Sequence, residues 1–457
     1  MLMSNEFIAD APLYCAVQNY AQANYLRFHT PGHSGHSSAL GGILEHILSL
    51  DVTELPETDS LFEASGVIRL AEEKAAKAFG SLHTLFSAGG ATLCIQTMLR
   101  LVSAQGKRKI LCARGVHRSV IYTMALLNLE PIWIWPTPSS HSALLGPISS
   151  QSVYQTLTKH TDAAAVFLTS PDYYGTLSDI SAIHSVCQKF SVPLLVDCAH
   201  GTHLHYLNEG KKHPLAQGAD LVCDSAHKTL PVLTGGAFLQ IGTPAFSLEE
   251  AKAAMSIFGS SSPSYLILLS LDLARAWGEQ EGVSAFSVLQ QRVHKLFVQL
   301  KTSSLAPPSG SRDPIRITLD VGKIGLHGDE AASFLHEQGI SIEMADQRYL
   351  VLLPSVFHSD ADFEQLRNAL LHLPIHSPLP FAHCAQFEHP ERVLLPGEAL
   401  RLPHIKMMSE DAANHIAADS SSPCPPGIPL LCPGERITPS IIKALQSYGI
   451  TQINVLK

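Results

Sequence analysis

The sequence contains no uninterrupted apolar run of about eighteen residues, the length a helix needs to cross a bilayer, so no membrane span is expected. It has no Cys-x-x-Cys pair. Its nine cysteines are an odd number and scattered: Cys15, Cys94, Cys112, Cys187, Cys198, Cys223, Cys384, Cys424 and Cys432. That spacing argues against a disulfide framework and for reduced thiols, as in a cytoplasmic protein. Charge is scarce as well, at 16% of residues, with 31 basic against 40 acidic side chains and a formal net charge of −9. Without a basic excess there is no electrostatic footprint for nucleic acid. The opening residues, MLMSNEFIADAPLY, hold no basic stretch followed by an apolar one, so no secretory leader is expected. Internal repeats and long low-complexity segments are missing too.

What is present is material for a large core: 457 residues, 46% of them apolar. From about Val67 to Gln240, short apolar runs (HTLFSA, KILCA, PIWIW, AAVFLT, PLLVD, ADLVC, GAFLQI) alternate with amphipathic stretches such as Ala91–Ser103, Ser119–Leu127 and Ile180–Phe190. That alternation predicts an α/β fold, a mostly parallel central sheet with helices on both faces. The Pro136–Pro147 loop interrupts it. A long helical stretch, Pro263–Leu300, and the linker SSLAPPSGSRDP close this region. Beyond it, RITLDVG and ISIEMADQRYLVLLP read as strands, and GDEAASFLHEQG and DADFEQLRNALLHL as helices, which makes a small α+β domain. The expected division is an arm at 1–40, a large domain at 41–305, the small domain at 306–373 and a C-terminal segment at 374–457.

Four segments carry chemistry. In GADLVCDSAHKTL, Lys228 follows a strand end, where ligands of open α/β sheets bind. A lysine amine held there can join an aldehyde cofactor as an imine, and Ser225 and His227 beside it could hold a phosphate. In PLLVDCAHG, Asp197 ends another strand, 31 residues earlier. A carboxylate there could keep a pyridine nitrogen protonated, so that the ring accepts electrons. In SAGGATLCIQTML a glycine turn opens a helix at Ala91-Thr92, an anion site that serves equally as a plain helix cap. In RGVHRSV, His117 opens a helix and could stack on a pyridine ring, though a lone histidine there is more often structural. A metal reading competes, because DCAHGTHLH gathers Asp197, Cys198, His200, His203 and His205. The spacing matches no paired-histidine helix motif, 24 histidines make local clusters by chance, and no metal is expected.

Taken together, these segments resemble the Orn/Lys/Arg decarboxylase family in its short form: enzymes of pyridoxal 5′-phosphate (PLP) with the aspartate-aminotransferase-like fold, fold type I. The resemblance runs through FHTPGHSG, DVTELPETDSLFEASGVI, the GAT turn, RGVHRSV, SPDYYGTLSDI, VDCAHGTH, SAHKTLPVLTGG, SSPSY and PPGIPLLCPGE. It implies that Lys228 binds the cofactor aldehyde, Asp197 pairs with the pyridine nitrogen and His117 stacks on the ring. It implies that Gly90, Ala91, Thr92, Ser225 and His227 surround the phosphate, and that Ala199 also touches the cofactor. Ser262 would reach the site from a neighbouring subunit, so at least a homodimer is expected. Glu435 would receive the distal cation of the substrate, a small cationic amino acid. The sequence departs from the family pattern at Ala91, where Ser or Thr is usual, at Cys198, where DEAHG has Glu, at Ser34, where Lys is common, and at Asp172.

The expected function is therefore decarboxylation of lysine, ornithine or arginine to a diamine or agmatine, with lysine or ornithine ranked first because one acidic partner is visible. Two alternatives stay open: another fold-type-I PLP reaction (aminotransferase, aldolase or lyase), and a PLP-binding protein without catalysis.

Overall fold

A computed structural model describes residues 5–23, 25–36, 44–104, 106–136, 144, 146–303, 305, 307–380, 389–422 and 429–457. Parts of the expected arm, most of the Pro136–Pro147 loop, Ser304 and Ala306 of the linker, Cys384, and the start of PPGIPLLCPGE lie outside the described residues.

Among the described residues twelve strands follow in chain order: β1 (His83–Ser87), β2 (Lys109–Ala113), β3 (Glu130–Ile134), β4 (Ala163–Thr169), β5 (Leu194–Asp197), β6 (Leu221–Asp224), β7 (Ala237–Ile241), β8 (Ile317–Asp320), β9 (Met344–Ala345), β10 (Tyr349–Leu352), β11 (His404–Met408) and β12 (Gln452–Leu456). The chain forms two compact units: Met1–Gln105 with Pro193–Ser284, and Gly106–Val192 with Ala285–Lys457.

In the first unit the strands neighbour one another in the order β1-β7-β6-β5. β5 and β6 run parallel, with Asp197 opposite Cys223. β7 is antiparallel to both β6 and β1. β5 and β6 are buried at every position, the burial that a strand covered on both faces must have. The helices Val67–Phe79, Gly90–Ser103, Leu248–Ser256 and Tyr265–Trp277 belong to this unit. Inside it Lys252 and Glu72 form a buried ion pair at 2.6 Å, and Glu72 also accepts the Phe86 N–H of β1.

In the second unit β2 pairs in parallel with β3 on one side and β4 on the other. β4, AAAVFLT, is buried at its first six positions. β8, β10 and β9 make a three-stranded antiparallel sheet, to which the expected small-domain helices Gly328–Glu337 and Asp360–Leu371 add. β11 and β12 pair antiparallel. The helix Pro439–Ser447 buries Ile441, Ile442 and Leu445 in a core shared with Leu431, Ile437, Ile453 and Val455.

One expected element is divided. The stretch read as a single helix over Pro263–Leu300 is a helix at Tyr265–Trp277, a π-helical turn at Gly278–Gly282 and a second helix from Val283 to Leu300. Packing explains the turn's composition. A Cβ on Gly278 would stand 2.2 Å from the Tyr206 hydroxyl oxygen, and one on Gly282 would stand 2.6 Å from the Tyr206 ring. The aromatic ring occupies the room that two side chains would need. Among the described residues no helix is long and apolar enough to cross a membrane.

Candidate active site

The pairing of β5 with β6 brings two strand ends together, Asp197 on one and Asp224 on the other. After Asp224 the chain leaves the sheet in a short 3-10 turn, Ala226–Lys228. Lys228 N–H donates to Ser225 O at 3.0 Å, and His227 N–H donates to Gly236 O at 3.2 Å. Buried Ala226 and Leu230 anchor the turn. Lys228 is thereby carried, half-buried, to the mouth of the strand ends. Its Nζ lies 2.8 Å from Nε2 of His200, a residue 5% exposed, three positions beyond Asp197.

Asp197 is 3% exposed. Its Oδ1 accepts the Ala199 N–H at 3.0 Å and the Cys223 thiol at 3.4 Å. Burial, with the Asp197 charge beside it, pushes the Cys223 thiol well up, so the sulfur keeps its proton and acts as donor. Oδ2 makes no hydrogen bond among the described residues, which leaves one carboxylate oxygen for a partner. Ser225 is buried, and its Oγ lies 3.3 Å from His227 Nδ1. Because Nδ1 also faces the Gly236 carbonyl at 3.0 Å, and a carbonyl only accepts, Nδ1 carries the hydrogen.

The helix Gly90–Ser103 begins at the expected turn. Gly90 has φ +68°, a left-handed conformation that glycine adopts without strain. Its own N–H is engaged by Gly235 O at 2.7 Å, so the donors left at this helix start are those of Ala91 and Thr92. Thr92 is exposed and Ala91 half-buried. The turn is fixed by Ser87, which the sequence reading did not single out: its Oγ donates to Gly90 O at 3.0 Å and accepts Gly89 N–H at 3.2 Å. A serine two residues before a glycine at a strand end is the signal that could have found it. His200 was visible only as a possible metal ligand; its position three residues after Asp197 is what brings it to Lys228.

Three further expected site residues have partners of their own or stand exposed. His117, in the second unit, caps the helix Arg118–Leu126, its Nδ1 accepting Ser119 N–H at 3.2 Å. Ser262 is exposed, ahead of the helix Tyr265–Trp277. Glu435 lies in the second unit. It was expected to meet a substrate cation, but it is 1% exposed and already paired with a cation of the protein. Its Oε2 accepts Arg114 Nη2 at 2.9 Å and Cys432 N–H at 2.8 Å. Arg114 also donates to Leu430 O and Cys432 Sγ, and lies over the rings of Trp133 and Trp135. Burial pushes the Glu435 carboxyl up, and Arg114 pulls it back.

The five residues of the metal reading do not gather. Instead Cys198, His213 and Asp224 bring one sulfur, one nitrogen and one oxygen within 4.8 Å of each other, the trio of that kind among the described residues. His213 Nδ1 accepts Leu215 N–H at 3.4 Å, so the ring hydrogen sits on Nε2 and is donated to Asp224 at 3.1 Å. A protonated Nε2 has no lone pair for an ion. The trio reads as a hydrogen-bonded support beneath Ser225.

An amine, a carboxylate with one oxygen in reserve, and a helix start with open N–H donors form a donor set that fits PLP. The family model for Orn/Lys/Arg decarboxylase, major domain, matches residues 11–305, and that for its C-terminal domain matches 392–450. The chain belongs to the Orn/Lys/Arg decarboxylase family. It is 29% identical to an arginine decarboxylase of Bacillus anthracis over 449 residues, 94% of this chain and 91% of that protein. It is 22% identical to the constitutive lysine decarboxylase of Escherichia coli, over 93% of this chain and 75% of that one. In structure it is similar to the lysine decarboxylase LdcF of Francisella novicida, with a TM-score of 0.83 over 98% of this chain and 81% of that one, at 21% identity. The chain is thus a PLP-dependent amino-acid decarboxylase of fold type I, with the mostly parallel central sheet expected from its sequence.

Proposed function

We propose that this basic-amino-acid decarboxylase takes arginine in preference to lysine or ornithine, and releases agmatine, a polyamine precursor, and CO₂. The observation that carries the preference is the end-to-end likeness to a protein named arginine decarboxylase, greater than the likeness to one named lysine decarboxylase. The sequence-based ranking of lysine and ornithine rested on Glu435, and that reason lapses once Glu435 has Arg114 beside it. A guanidinium asks for two carboxylate oxygens in its plane, whereas an ammonium needs a point partner.

When bound, PLP supplies a ring that takes up the electron pair left by the departing carboxylate. Toward it we assign Lys228 to the aldehyde carbon and Asp197 Oδ2 to the pyridine nitrogen. Ala91, Thr92, Ser225 and His227 are assigned to the phosphate, with Gly90 shaping the turn, and Ala199 and His117 to the ring. The held Asp197 oxygen fixes the direction of the other one, and the Cys223 thiol keeps that orientation without adding charge. Ser262 is assigned to a neighbouring subunit's site in a homodimer, a reading supported by its exposure and by Leu26 and Phe28, which are 87% and 96% exposed in the single chain. The cytoplasm is the assigned compartment, in keeping with cysteines that no disulfide joins among the described residues.

The test is a side-by-side assay of arginine, lysine and ornithine with product identification. Arginine should give the highest kcat/KM. A tenfold preference for lysine or ornithine overturns the substrate assignment, and absence of CO₂ from all three reopens the other PLP reactions. Sedimentation at assay concentration should give a dimer or larger; an active monomer removes the Ser262 assignment.

A further inference from the structure

The contact between Lys228 and His200 is not explained by holding a cofactor. Two basic nitrogens lie 2.8 Å apart, which requires one hydrogen between them. Either the lysine is an ammonium that donates to a neutral imidazole, or it is an amine that accepts from Nε2–H. Both nitrogens are sheltered: His200 is 5% exposed and Lys228 half-buried. We propose that His200 is the proton partner of Lys228, taking up the proton that the ammonium must lose before its nitrogen can attack an aldehyde. The proposal rests on the reading of Lys228 as the cofactor lysine.

The step balances. An Nζ–H bond of the ammonium breaks and an Nε2–H bond forms, leaving a neutral amine and an imidazolium. The amine lone pair bonds to the aldehyde carbon, and a proton moves from that nitrogen to the carbonyl oxygen. His200 then returns its proton to this oxygen, which leaves as water as the carbon–nitrogen double bond forms. No outside acid, base or oxidant is needed. The same shared proton keeps the lysine ready each time an incoming amine displaces it. Other titratable groups stand on the same stretches of chain: Asp197 at the end of β5 and Cys198 after it, His203 and His205 in the 3-10 turn Thr202–Tyr206, Cys223 and Asp224 on β6, and His227 in the Lys228 turn. Among them Asp197 is held by Ala199 and Cys223, His213 takes the Asp224 carboxylate, and His227 Nδ1 is held by Gly236. Nε2 of His200 stands 2.8 Å from the amine itself.

The test needs no substrate turnover. Cofactor-free protein is acetylated with limiting acetic anhydride across the pH range, and the labelling of each lysine is read by peptide mass spectrometry. In the wild type Lys228 should keep a level labelling rate near pH 7, set by the amine–imidazolium pair, where that of Lys211, whose side chain is 74% exposed, falls about tenfold per pH unit with its free amine. Superposition of the two profiles overturns the proposal without any variant. In His200→Gln, which retains a hydrogen-bond acceptor but cannot take up a proton, the Lys228 profile should lose its level stretch and fall about tenfold per pH unit. Imine formation with added PLP, followed by absorbance near pH 7, should slow by about 100-fold. In His200→Asn the same loss is expected. An unchanged Lys228 profile in a variant whose circular dichroism matches the wild type makes His200 a structural residue and overturns the proposal. Borohydride reduction of the loaded wild type separates the two readings: if it fixes the cofactor on another lysine, the Lys228 assignment itself fails.

Discussion

Two basic side chains follow the ends of buried parallel strands in this protein, and they end in opposite surroundings. Arg114 comes directly after β2, where Glu435, Leu430, Cys432, Trp133 and Trp135 engage it on every side. Lys228 comes four residues after β6, where its amine meets another base, His200. The neighbouring carboxylates differ in the same way. Glu435 has a guanidinium and a backbone N–H on Oε2, with Oε1 buried and without a hydrogen-bond partner among the described residues, whereas Asp197 is held on Oδ1 by neutral donors, a backbone N–H and a thiol. A buried carboxylate beside a cation of its own chain already has its charge balanced. A buried carboxylate held by neutral donors has a charge left for a cationic partner. On the proposed reading, the acid of a long family motif, Glu435, serves Arg114, while a short Asp-x-x-His serves the site.

The largest break in that comparison is Lys228→Ala. It should abolish borohydride-fixable PLP and, with it, decarboxylation; cofactor still fixed to the protein means that another lysine is used. Next comes Asp197→Asn, which keeps size and removes charge. Turnover should fall by about 10²–10³-fold while PLP stays bound, because the variant loses electrostatic stabilisation at the ring nitrogen. Steady-state kinetics beside cofactor absorbance checks this, and near-normal kcat makes Asp197 a strand-end residue only. Glu435→Gln acts on stability instead. Leaving Arg114 uncompensated should lower unfolding free energy by about 3 kcal/mol, seen as a lower denaturant midpoint, with KM for the amino acid hardly changed. A large KM rise at wild-type stability would restore the cation role to Glu435. The smallest effect is expected from Cys223→Ala. Losing one thiol donor to Asp197 should cost about 1 kcal/mol, read as a few-fold loss in kcat with PLP affinity nearly intact. A loss as large as that of Asp197→Asn would make the thiol a principal partner of the carboxylate.

Much of the fold was legible in the chain. Runs such as AAAVFLT are apolar without alternation, and a strand buried on both faces has no other way to be written. The antiparallel entry of β7 was not legible, since GAFLQI reads the same in either direction and only its neighbours β6 and β1 fix the sense. The π turn at Gly278–Gly282 was hidden for a related reason: the need for two small residues comes from Tyr206, over seventy positions away.

The sequence by itself determined which residue types could do the chemistry and where they leave the strands, because strand ends, glycine turns and helix caps are local and are written in adjacent residues. Lys228, Asp197 and the Gly90–Thr92 turn follow from that. Tertiary structure alone decided which of the candidate groups were still available. Arg114 and Glu435 are 321 positions apart, and Lys228 and His200 are 28 apart. Whether a carboxylate or an imidazole is already engaged depends on what folding brings against it, and no spacing within a motif records that.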